Sequence, residues 1–76
     1  MAAVFATVED VQRLGRQLTA QEQEKAEVLL PVASAKLRLA AVKYNRAIDL
    51  MILDNPDVAF AAREIVVKAV LRAIDS

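Results

Sequence analysis

Apolar residues recur along this chain at the spacing of three and four that marks a helix, and each such stretch opens on a capping signal. Thr7 with Asp10 is a T-x-x-D start, and Thr19 with Glu22 is a T-x-x-E capping box. In both, the hydroxyl accepts from an orphan backbone N–H and the carboxylate reaches back to the cap. A third start is written in Asp54-Asn55-Pro56-Asp57, with Asn55 at the N-cap, Pro56 at the first helical position and Asp57 beside the positive end of the dipole. The pattern predicts an all-α fold, a small bundle of three to four helices in a single domain spanning residues 1–76.

The first helix is expected from about Val8 to Gln17, with Val11, Leu14 and Leu18 on one face. Gly15 is the only glycine. In mid-helix it costs about 1 kcal/mol relative to alanine. Either the helix tolerates it or ends there, or another backbone approaches closely. The second helix starts at Thr19 and is the longest. Ala26, Leu30, Ala33, Leu37, Ala40, Tyr44, Ala47 and Met51 make a heptad-like seam, but charge pairs flanking it are not sustained, which favours ordinary helix packing over a coiled coil. Pro31 removes the bond to the Glu27 carbonyl and is expected to kink this helix. A break is expected near Lys43–Asn45, with Asn45 as the stop. The following piece, Arg46 to Leu53, ends in Leu50-Met-Ile-Leu53, apolar on every side and so expected in a core or an interface.

The last helix carries two apolar stripes. Val58, Ala62, Ile65, Ala69 and Ala73 form one; Phe60, Val67, Leu71 and Ile74 form the other. One is expected to face the core and the other a neighbour, so Phe60, Val67, Leu71 and Ile74 are the candidate subunit interface.

Composition sharpens this picture. Of 76 residues, 57% are apolar, which exceeds the usual range, while the large aromatics are confined to Phe5, Tyr44 and Phe60. A chain this short cannot hide so much apolar surface in its own core, so the surplus points to packing against other subunits. There is no cysteine and no histidine. Disulfides, thiolate nucleophiles, histidine triads and the usual zinc sites are thereby excluded. Formal charge is zero, which argues against a dedicated nucleic-acid binder. The N-terminus lacks the basic flank and apolar run of a signal peptide, and no apolar stretch reaches the length of a membrane span.

No catalytic, cofactor-binding or metal site is expected. Glu22, Glu24 and Glu27 read as a solvated, dipole-favoured first turn. Lys36, Arg38, Lys43 and Arg46 lie without an intervening acid, as a basic patch for a phosphate backbone or an acidic partner, or as an ordinary wetted face. Such a patch gives salt-sensitive contacts to DNA without sequence readout.

Phe5-Ala-Thr-Val-Glu-Asp-Val11, Leu14-Gly-Arg16, Leu18-Thr-Ala-Gln-Glu22, Ala26-Glu-Val-Leu-Leu30 and Ala33-Ser34 resemble the opening of the small head–tail connector proteins of tailed bacteriophages, also called head-completion or adaptor proteins. Ala62-Arg-Glu-Ile-Val-Val-Lys-Ala-Val-Leu-Arg-Ala73 is similar to that family's last helix. The resemblance implies a ring-forming helical protein of the virion, made in the host cytoplasm and placed at the head–tail interface. Its implied partners are further copies of itself in a dodecameric ring, the portal protein, and a stopper or tail-completion protein, with packaged DNA passing close by and no membrane. It implies no enzymatic activity and no cofactor. Three features depart from the pattern. Pro31 stands where a helix-compatible residue is usual, Lys36 to Asp54 fits no pattern of the family, and the extension that often follows the last helix is missing, as in a piece of a longer protein.

The leading expectation is therefore a structural connector subunit. The alternative is a small helical DNA-binding module of helix-turn-helix or small-terminase type, which zero net charge disfavours.

Overall fold

The computed structural model describes residues 4–43 and 48–75, and within them every regular element is helical. Four helices follow in order: α1 (Val8–Leu14), α2 (Ala20–Val42), α3 (Ile48–Asp54) and α4 (Pro56–Asp75). Both threonine starts form complete capping boxes. The Asp10 amide donates to Thr7 Oγ1 at 3.2 Å and the Thr7 amide donates to Asp10 Oδ2 at 2.9 Å. The Glu22 amide donates to Thr19 Oγ1 at 3.2 Å and the Thr19 amide donates to Glu22 Oε1 at 3.0 Å. At the third start the Asp57 amide donates to Asn55 Oδ1 at 3.0 Å.

α1 ends at Leu14, earlier than the expected Gln17, because Gly15 is its C-cap. The corner between α1 and α2 is then held by two glutamines. Gln12 Oε1 accepts from the Leu18 amide at 3.2 Å, and Gln23 Nε2 donates to the Leu18 carbonyl at 3.2 Å. Leu18 is thereby drawn into the core, whereas Leu14 is left 45% exposed.

α2 continues through Pro31 as one element of 23 residues. Pro31 and Glu27 both lie on the exposed side of the helix, away from the buried Ala26, Leu30 and Ser34. A kink at Pro31 is not shown. The helix closes at Lys43, its C-cap, within the expected break. Asn45 as the stop, and Tyr44 and Ala47 as seam positions, lie outside the described residues.

α4 is the hub, packing against α1, α2 and α3. The core is built from Val66, Val67 and Val70 of α4 with Val11, Leu18, Ala26 and Leu30. Ala26 and Ala62 are almost fully buried, and their short side chains let helices approach closely. This corrects the two-stripe reading of α4. Val66 and Val70, which belong to neither stripe, are buried together with Ala62 of the first and Val67 of the second, so the core face runs between the two. Val67 is 1% exposed, so it presents no surface to a neighbour. Leu71 and Ile74 are partly buried and pack against the same core. Only Phe60 of those four is openly exposed, at 56%.

Candidate interaction surfaces

Two polar clasps fix the ends of the bundle. The first joins the N-terminal segment, α2 and α3. Ser34 is fully buried on α2, and its Oγ accepts from the Phe5 amide at 3.1 Å. One turn further along, the Arg38 guanidinium lies 4.3 Å over the centre of the Phe5 ring. The same guanidinium grips Asp49 of α3 through two bonds, Nε to Oδ2 and Nη2 to Oδ1, each 2.9 Å. Arg38 can do both because a planar fork stacks on a ring while its edge donates to a carboxylate. That pairing lowers the Asp49 carboxyl and raises the guanidinium, each mainly through the shared hydrogen bonds.

The second clasp is Arg16, in the α1–α2 corner. Its two terminal nitrogens donate to both oxygens of Glu22, at 3.0 and 2.8 Å, and one of them also reaches Asp75 near the end of α4. Glu22 thus serves the capping box and the ion pair together. The guanidinium hydrogen bonds, then the Thr19 amide, hold its carboxyl at about 2, well below the ordinary 4.5. Glu22 therefore belongs to a structural junction rather than to a cluster with Glu24 and Glu27, which are exposed.

The basic patch does not gather on one surface. Arg38 is turned to Phe5 and Asp49. Lys36 and Lys43 are exposed on another side of α2, and Arg46 lies outside the described residues.

Among the described residues apolar surface remains open on several sides, two of them bordering α4. One is a groove of about 290 Å³ between α2 and α4, lined by Val32, Ala33 and Leu37 on one side and Ile65, Ala69 and Ala73 on the other. Val32 is 45% and Ile65 52% exposed. The other is the corner between α3 and α4, where Leu50 and Leu53 stand 64% and 80% exposed. Of the core or interface expected for Leu50-Met-Ile-Leu53, the core is not met, since no residue of α3 is buried; the α4 wall of the groove is Ile65, Ala69 and Ala73 of the first expected stripe. The signal for the groove is in the sequence as the small residues Ala69 and Ala73 beside Ile65, opposite Ala33 and Ala40. No helix among the described residues is long and apolar enough to cross a membrane.

Residues 14–76 match a family of bacteriophage proteins described as phage protein Gp19/Gp15/Gp42. The match takes in α2, α3 and α4, and with them both open surfaces and the stretch Lys36 to Asp54. No curated protein and no solved structure is found to match the chain.

Proposed function

Because the chain belongs to the phage protein Gp19/Gp15/Gp42 family, we propose that it is a structural subunit of the phage head–tail connector. Copies of it form a ring beneath the portal, extend the DNA channel and offer a docking surface to the stopper or tail. The observation that carries this reading is the pair of open apolar surfaces on a phage protein whose own core is already closed around α4. Leu50 and Leu53 of the corner and Val32 and Ile65 of the groove stand open to solvent, and adjoining apolar side chains left open in this way mark an interaction surface. Assembly covers them. Two different surfaces on one subunit are also what a head-to-tail ring requires.

The protein acts by shape. It supplies no catalytic group and takes no cofactor. Packaged DNA passes close to it, and any contact to phosphate carries no sequence readout. Arg38 adds nothing to that, because its guanidinium is committed to Phe5 and Asp49. No specific observation favours a DNA-binding module of helix-turn-helix type.

Deleting the gene tests the assignment. The expected result is heads that package DNA but neither retain it nor gain tails. Tailed, infectious particles from the deletion would refute it.

A further inference from the structure

We propose that the α2–α4 groove of one copy receives the α3–α4 corner of the next copy. The inference rests on the connector reading and adds to it which surfaces meet.

The chemistry of the two surfaces is complementary. The groove is apolar apart from Lys36, which lines it, and further cations stand on the outward faces of its two helices. Lys25, Lys36 and Lys43 are spaced by eleven and seven residues, which sets them on one line of α2 at about 3.6 residues per turn. Lys68 and Arg72 are one turn apart on α4, on the outer side of Ile65 and Ala69. All five cations are exposed. Of the acids nearby, Glu64 pairs with Lys68 at 3.0 Å, Glu22 and Asp75 are held by Arg16, and Glu24 lies at the end beside Lys25. The corner has the opposite character. Leu50 and Leu53 project from α3 and Phe60 from the start of α4, and the exposed Asp54 and Asp57 flank the connection; the cation beside Leu53, Arg63, is paired with Asp10 at 3.9 Å. An acid-flanked apolar knob fits a base-flanked apolar groove. Two grooves placed face to face would set lysine against lysine, which disfavours a symmetric dimer through this face.

The placement also selects a neighbouring copy rather than the same one. Phe60 and Ile65 are five residues apart on α4, or about 140° around its axis. The knob and the groove therefore look in different directions, and neither can be satisfied within one chain. A contact between two different patches repeats from copy to copy and closes into a ring when the rotation allows. The chain exposes 5473 Å². Two contacts of standard size, about 800 Å² on each copy, would take roughly 30% of that surface.

The natural chain has no cysteine, so disulfide trapping is clean. Leu53→Cys marks the knob and Ala69→Cys the groove, and both positions are exposed. The full chain is oxidised both in purified phage particles and as isolated protein at high concentration. Mixing the two single variants is expected to give covalent dimers that neither gives alone. The double variant is expected to give a ladder of covalent oligomers, reduced several-fold by adding Lys25→Glu and Lys36→Glu. Dimers from Ala69→Cys alone, as abundant as from the mixture, would show groove on groove and overturn the pairing. Particles that contain the chain yet give no ladder would overturn the pairing and leave the connector reading standing. If the chain is absent from particles, the connector reading falls, and the ladder from isolated protein alone supports or overturns the contact.

Discussion

The side chain of Leu71 fills the space that a Cβ on Gly15 would need. An added Cβ would overlap Leu71 Cδ1 and lie 2.8 Å from the Val11 carbonyl oxygen. The close approach of Leu71 leaves no room for a side chain at this position. The end of α1 and the last turns of α4 are thereby pressed together. Gly15→Ala is expected to destabilise the chain by about 1–3 kcal/mol, the usual cost of overpacking. Leu71→Ala in the same chain should recover part of that loss, because it clears one of the two collisions. Urea unfolding of the two single variants and the double variant measures the coupling. Strict additivity would show that the two residues do not contend for one space.

Much of this arrangement was legible in the sequence and some was not. The three helix starts were readable because a capping box is local: Thr7 with Asp10, Thr19 with Glu22 and Asn55 with Asp57 find their partners within three residues. The division of α4 was not readable, because Val66 and Val70 add a third apolar arc between the expected stripes, one of which holds Val67, and only the positions of α1 and α2 decide which arc is covered. The same holds for Arg38. Its charge suggested a phosphate, but its partners Phe5 and Asp49 lie 33 residues before it and 11 after it. Nothing local announces a contact of that kind.

Ser34→Ala removes the acceptor for the Phe5 amide inside a fully buried site. A donor left without a partner costs about 1–3 kcal/mol. The expected result is that loss of stability together with faster amide exchange at Phe5. Unchanged exchange at Phe5 would show that the N-terminal segment is held by the Arg38 stacking alone.

Acid should loosen the Arg16 clasp. The Glu22 carboxyl titrates near 2 in the folded chain against an ordinary value of 4.5. A depressed carboxyl contributes stability that is present above the unfolded value and is lost as pH falls through the folded one. Asp49 is lowered as well and adds to the same decline. Thermal midpoints should therefore fall between pH 4.5 and about 2. Glu22→Gln should flatten the decline. Both pairs are exposed enough that each contributes little. An identical acid profile in Glu22→Gln would remove Glu22 from the explanation.

Aspartate substitutions at Leu71 and Phe60 should fail in different ways. Leu71 packs on the core, so Leu71→Asp is expected to unfold the chain. Phe60 is 56% exposed, so Phe60→Asp should leave stability within about 0.5 kcal/mol, the range usual for surface changes. Phe60→Asp should nevertheless reduce association of copies. Circular dichroism melts read the first effect and sedimentation or cross-linking in particles reads the second. A Phe60→Asp chain that associates like the natural one would remove Phe60 from the knob.

Imaging the head–tail junction of native particles tests the central claim most directly. The account predicts a ring of this fold between portal and tail, with α2 and α4 of each copy resolved and the α3–α4 corner of one copy seated against its neighbour. A junction built entirely from other chains, in purified virions that contain none of this protein, would contradict it.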